Sequence, residues 1–307
     1  MERGTAVHFR PGGTALAYLV LVSVIWGFSF VIIKGALADL DSGFISMARM
    51  LFSLALLLPF MRVSGIGKRD RMFFMWIGSI QFGLMYVAYI ASFRYLPAHM
   101  IALLTTTTPL FVALIADGRR GRLRGGLVAA ALLAVAGGAV MKFPDQALSA
   151  SLYGVLLLQL SNAAFAFGQI AYRSRMRGRP ELRDRDAVGL MYCGAALVTG
   201  IFSAATTDWG NLRVGPGQWT ALAYLGLVAS GLGFFLWNLG ARRVREGTLA
   251  VMNNLKIPVG IVASLVVLGE TTDHARLGAG CFLFALALWA NGTGRGCAGG
   301  EPGRRSG

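Results

Sequence analysis

Ten runs of apolar residues, separated by short polar gaps, occupy positions 14–37, 42–63, 72–95, 98–117, 125–143, 151–172, 187–207, 217–241, 247–268 and 275–294. A helix needs about 20 mainly apolar residues to cross the hydrocarbon core of a bilayer, so each run predicts one spanning helix. No gap is long enough to fold as a domain of its own. The first run contains Trp26 and Lys34 and exceeds the roughly 7–15 apolar residues of a signal peptide. Although Ala36-Leu37-Ala38 resembles a cleavage site, the run is expected to stay as the first span.

The basic residues fill alternate gaps. Arg3 and Arg10 precede the first run, and Arg62, Lys68, Arg69 and Arg71 occupy the second gap. The fourth gap holds Arg119, Arg120, Arg122 and Arg124; the sixth holds Arg173, Arg175, Arg177, Arg179, Arg183 and Arg185. Arg242, Arg243 and Arg245 fill the eighth gap, and Arg295, Arg304 and Arg305 the tail. The opposite side keeps only Arg94, Lys142, Arg213 and Arg276, a 22:4 division of the 29 Lys and Arg residues with three left over. Such asymmetry predicts that both termini are cytoplasmic, in a multi-pass protein of a bacterial inner membrane.

Composition agrees with that class. The 307 residues are 55% hydrophobic and 14% charged, with mean hydropathy +0.61; a soluble domain carries about 25% charged residues. The net charge of +15 sits in loops beside apolar spans, which argues against nucleic acid as a partner. Membrane lipid and a small solute are the partners expected, with a monomer as the simplest assembly and a dimer as the alternative. Cys193 and Cys281 fall in spans and Cys297 in the tail, giving neither a disulfide framework nor a metal pair.

Five spans per half is an odd number, so two related halves must be inverted in the membrane. A weak repeat is visible: superimposing Pro109 on Pro258 brings Arg94 onto Arg243 and Thr107 onto Lys256. The expected fold is therefore an all-α membrane protein of ten transmembrane helices arranged as two inverted five-helix repeats. Residues 1–143 and 144–294 form the halves of a single membrane domain, and 295–307 form a cytoplasmic tail. Inverted repeats meeting near the midplane are a transporter architecture.

The chain also resembles the EamA-type ten-helix members of the drug/metabolite transporter superfamily, from about residue 14 to 294. The residues that carry the resemblance are Trp26-Gly27-Phe28-Ser29-Phe30, Lys34 and Arg49 in the first two spans. Ala102-Leu103-Leu104 and Thr108-Pro109-Leu110-Phe111 carry it in the fourth. Pro258, Leu268-Gly269-Glu270 and Leu277-Gly278-Ala279 do so near the end. The resemblance implies a carrier, often an exporter of amino acids or other small metabolites. Two departures stand out. Asp117-Gly118-Arg119-Arg120-Gly121 lacks the Gly-Glu pair that usually closes the fourth helix, and Lys256 stands near Pro258 where family members often have an acid.

Charges inside spans mark pathways, and Lys256 is the deepest, about 14 Å from the cytoplasmic end at 1.5 Å per residue. Asn253, Lys256, Gly260 and Ser264 share a helical strip. Either that strip lines a pathway in which Lys256 meets an anionic group, or Lys256 bonds to carbonyls that Pro258 leaves unpaired. Pro109 and Pro258 predict local helix openings, or else simple kinks. Further polar strips run through Gln159, Asn162, Ala166 and Gln169, and through Gly78, Gln81, Met85, Tyr89 and Ser92. Trp26, Tyr86, Tyr172, Tyr192, Trp237 and Asn238 are candidate walls and donors. Helix–helix hydrogen bonding is the alternative for each of these, and Thr105–Thr108 are expected to bond back to their own helix. Lys34 and Arg49 are expected near the outer ends of their spans, as anchors or an outer gate, with Glu270 as a partner. Trp209 and Trp219 read as interface aromatics.

Enzyme signals are poor. His8, His99 and His274 lie far apart, and neither HExxH nor a P-loop occurs. No cofactor is expected, and coupling must come from a proton or solute gradient. The function expected is secondary transport of a small organic metabolite by alternating access, an amino acid or another carboxylate-bearing solute being the first guess. A non-transporting scaffold or lipid-handling subunit of the same fold, or a membrane-embedded enzyme, are the alternatives.

Overall fold

The computed structural model describes residues 13–118, 121, 148–179, 181–241, 243–244 and 246–269, together with isolated positions near the tenth run. The fifth run, nearly all of the tenth, the tail and Glu270 lie outside the described residues.

Apolar runs become helices because a backbone in hydrocarbon must satisfy its polar groups internally. α1 spans Gly13–Ala36 and α2 Ser42–Phe60, ending in a short 3-10 turn. Asp41 starts α2 by accepting hydrogen bonds from the Gly43 and Phe44 backbone N–H groups at 2.8 and 3.1 Å. α3 spans Lys68–Ser92. α4 begins at Ala98–Leu104, tightens through the 3-10 turn Thr105–Thr107, and resumes as Thr108–Gly118. α5 (Leu148–Arg177), α6 (Asp184–Thr206), α7 (Pro216–Ala241) and α8 (Glu246–Val267) complete the described helices. Six helices, α1–α3 and α5–α7, are long and apolar enough to cross a membrane; the apolar parts of α4 and α8 are shorter.

For the eight runs within the described residues the expected boundaries hold within a few residues, except that α5 runs on into the basic gap. There Arg175 Nε donates to Asp70 Oδ1 on α3 at 2.7 Å, and Arg179 also reaches Asp70, at 3.3 Å. Nearby, Asp186 at the start of α6 accepts from the Arg62 backbone N–H after α2, at 2.8 Å. The arginine-rich helix ends thus gather at one end of the bundle. At the other end Arg94 pairs with Asp41 at 2.9 Å, Thr207 donates to Asp41 at 2.7 Å, and Lys34 Nζ donates to the Phe93 carbonyl at 2.7 Å.

α1 packs on α8 and α7, and α5 correspondingly packs on α4 and α3. α2 packs on α7 as α6 does on α3; α2 also meets α6, and α4 meets α8. Exchanging the first four helices with the second four leaves this pattern unchanged. The exchange extends to backbone detail, because α3 and α7 each widen to π-helical geometry midway, over Ser79–Leu84 and Tyr224–Leu232. Close approach requires glycine between α3 and α6: a Cβ on Gly194 would lie 1.9 Å from the Met75 carbonyl oxygen, and one on Gly78 2.1 Å from that of Met191. Outward faces carry Leu21, Phe28, Ile201, Val262 and Val266, all exposed, as expected of helices bathed in lipid.

Candidate functional site

A cavity lies where the two sets of helices meet. It is lined by residues of α1 (Trp26, Ser29, Phe30), α2 (Arg49), α3 (Met85, Tyr86, Tyr89), α4 (Thr105, Thr108), α5 (Ser161, Asn162, Phe165), α7 (Phe234) and α8 (Lys256). Six of the fourteen lining residues are aromatic, and rings continue behind them: Trp26 packs on Phe234 and Trp237, with ring centroids 4.7 and 4.9 Å apart, and Phe234 continues to Phe82 and Phe165.

One part of the cavity wall is built around Arg49, which is 1% exposed. Its Nη2 donates to the hydroxyls of Tyr86 (2.9 Å) and Ser230 (3.0 Å), and its Nε donates to Ser230 (3.2 Å). The guanidinium carbon lies 4.4 Å from the Tyr86 ring centroid. Ser230 belongs to the wide-turn segment of α7, whose carbonyls are taken up by other helices. Ser53 donates to Gly226 O, Trp26 Nε1 to Ala229 O and the Tyr192 hydroxyl to Ser230 O, at 2.9, 2.8 and 2.8 Å. A π-helical turn displaces carbonyls from the usual ladder, and such turns are frequent at functional sites.

The same cavity is lined by Lys256, buried on α8, with Nζ donating to Asn253 Oδ1 at 3.2 Å and lying 5.2 Å from the Trp26 ring centroid. Asn253, Lys256 and Ser264 all face inward, while Val262 and Val266 on the other side are exposed. Asn162 donates to Leu104 O (3.1 Å) and Thr107 Oγ1 (2.9 Å), and accepts from Thr108 (3.3 Å). Thr107 also donates to Gln159 Oε1 at 2.6 Å. Thr105, Thr107 and Thr108 donate back to carbonyls of their own helix, as their type favours.

Lys256, Asn162, Trp26 and Tyr89 are therefore brought together at the cavity, and Asn253 supports Lys256. Gln159, Gln169, Gln81, Trp237 and Asn238 are buried but stand behind the lining. Gln81 and Asn238 have side-chain amides without hydrogen-bond partners among the described residues. Arg49 departs from the expected outer position: it is an interior residue, because Ser42, Ser46, Arg49 and Ser53 form a polar strip that α2 turns inward. That spacing was available in the sequence. Lys34 remains near the Arg94 end, beside a separate pocket shared with Leu37, Phe93 and Arg94. Pro109 follows the 3-10 turn of α4, so its region does break regular geometry, whereas α8 runs through Pro258, which is exposed. Among the described residues Lys256 donates to the Asn253 side chain and not to a carbonyl freed by Pro258. Ser230 and the wide turn of α7 had no anticipating signal. Among the described residues no group of His, Cys, Asp or Glu is arranged to hold a metal.

The sequence matches the EamA-like transporter family twice, over residues 13–143 and 152–291. It is 40% identical to the "Probable biotin transporter" of Pseudomonas aeruginosa, over 91% of this chain and 98% of that protein. It is 34% identical to the "Biotin transporter" of Salmonella typhimurium and to that of Escherichia coli, each over 90% of this chain and 92% of the relative. A crystal structure with 17% sequence identity superimposes with a TM-score of 0.61, covering 91% of this chain and 96% of the other, and so shares the fold. The apolar helices, the central cavity and the duplicated match over both halves lead to one assignment: this chain is a multi-pass membrane transporter for a small molecule and belongs to the EamA-like transporter family.

Proposed function

We propose that this protein is a secondary transporter of biotin, or of a closely similar ureido carboxylic acid, across the bacterial inner membrane. The observation that carries this reading is electrostatic. Two cations, Arg49 and Lys256, line one aromatic-rich cavity, and no acidic residue is among its described lining. A buried cation needs an anion or a set of strong acceptors, and a carboxylate-bearing substrate supplies one. An amino acid brings an ammonium group as well, for which this lining offers no carboxylate; the names of the relatives point the same way. Biotin joins a carboxylate on a flexible chain to a compact, neutral ureido ring. Trp26, Phe165 and Phe234 suit the ring and chain, and Asn162, Ser161 and Thr108 suit the ureido edges.

The pairing of helices that survives exchange supports two related halves, 1–143 and 144–294; the ten apolar runs and the arginine-rich alternate gaps support ten spans in inverted repeats with both termini cytoplasmic. Transport then alternates access to the cavity as the halves rock about it, driven by a proton or solute gradient. Binding tests the substrate directly. Biotin should raise the unfolding temperature of the purified protein in detergent in a saturable manner, while alanine, leucine and glutamate should not. Stabilisation by amino acids and not by biotin would replace this reading.

A further inference from the structure

The two cations in the cavity have different surroundings. Lys256 has its ammonium engaged by Asn253 and shared with the face of Trp26. The Arg49 fork is held flat by two hydroxyls and a ring, yet its Nη1 is buried with no hydrogen-bond partner among the described residues. No carboxylate pairs with Arg49 among the described residues. An ionised donor buried without a partner is strongly unfavourable unless something completes it. The Tyr86 and Ser230 hydroxyl oxygens lie 2.9 Å apart, so when one donates to the other, one O–H is left to donate elsewhere. This part of the wall therefore presents a guanidinium N–H and a hydroxyl O–H, which suits the two oxygens of a carboxylate.

We infer that Arg49 is the carboxylate anchor of the substrate site, completed through Nη1, and that Lys256 with Asn162 and Thr108 faces the uncharged polar end. This assignment rests on the biotin reading above. Ser230 and Tyr86 are its positioning residues. Their hydroxyls fix the plane of the fork, and the wide turn that carries Ser230 is itself pinned by Ser53, Trp26 and Tyr192.

The test compares binding of biotin and of its neutral primary amide to the purified full-length protein. The wild type should favour the acid by roughly ten- to a hundred-fold, the usual effect of one charge-assisted hydrogen bond in a dry site. Arg49→Gln should abolish the preference for the acid over the amide, costing the acid far more affinity than the amide, and Arg49→Lys should fall between. Lys256→Met should weaken both ligands together and preserve the preference. Should Arg49→Gln fail to insert, Arg49→Lys and Lys256→Met still decide. An acid preference that survives both Arg49 changes, or that vanishes in Lys256→Met, overturns the assignment while the biotin reading stands. A wild type that binds neither ligand overturns both.

Discussion

Arg49 on α2 and Ser230 on α7 meet through two donors on a single hydroxyl oxygen, at 3.0 and 3.2 Å. That bond joins the two sequence halves at the wall of the cavity, and both residues are 1% exposed or less. Replacing Ser230 by alanine removes the acceptor and leaves an ionised donor in a dry site. The expected cost is about 1–3 kcal/mol of stability, together with weaker biotin binding. Ser230→Thr, which keeps the hydroxyl, should retain most of both. Unfolding temperature and a biotin titration on the same samples check the pair.

Glycine between α3 and α6 is needed for contact. Gly194→Val places a Cβ against the Met75 carbonyl and should sharply reduce the yield of folded protein, since overpacking typically costs about 1–3 kcal/mol or more. Gly200→Val on the same helix adds a side chain where nothing lies within 4 Å and should be nearly neutral. Size-exclusion profiles of the two variants, expressed side by side, distinguish specific packing from a general intolerance of α6.

How much of this was legible in sequence differs by feature. Span positions were readable because the bilayer imposes a length and an apolar face on every helix, and the arginine gaps marked which helix ends gather together. Lys256, expected inside its apolar run, is buried on α8 and lines the cavity. Arg49 was misplaced because counting residues from the helix start gives depth, whereas the side chain's direction depends on which face packs inward. The π-helical segments left no trace in the sequence; in α7 the carbonyls of Gly226, Ala229 and Ser230 accept from Ser53, Trp26 and Tyr192 on three other helices, contacts that no local pattern announces. Gln159 and Asn162 share a strip on α5, but only Asn162 reaches the cavity, a division set by how α4 docks.

That division has a direct readout. With native cysteines removed, Asn162→Cys should react with a small aqueous thiol reagent, and excess biotin should slow the reaction. Gln159→Cys should react at least ten times more slowly, and Leu160→Cys, on an exposed apolar face, should stay unreactive. Equal rates at 159 and 162 would place the water-filled surface elsewhere on α5.

The rim at the Arg94 end should respond to acid. Burial alone would raise the Asp41 carboxyl, but hydrogen bonds from Thr207 and the Phe44 and Gly43 N–H groups, with Arg94 nearby, hold it below the ordinary carboxylate range. A carboxyl lowered in the folded state stabilises the fold above its unfolded pKa, and that contribution fades as pH falls through the folded value. Asp41→Asn should therefore lower the unfolding temperature at neutral pH and narrow its gap to wild type as pH falls below the carboxylate range. The effect should be modest, because Arg94 is half exposed and well screened. A constant gap across the acid range would remove Asp41 as the titrating group.

Transport of biotin through this cavity is the central claim, and labelled-biotin counterflow in proteoliposomes tests it most directly. Vesicles loaded with unlabelled biotin and containing the wild-type protein should accumulate external label transiently and saturably, with Arg49→Gln reduced to the rate of empty vesicles. Label that enters protein-containing and empty vesicles at the same rate, in protein shown to be folded and inserted, would contradict the account.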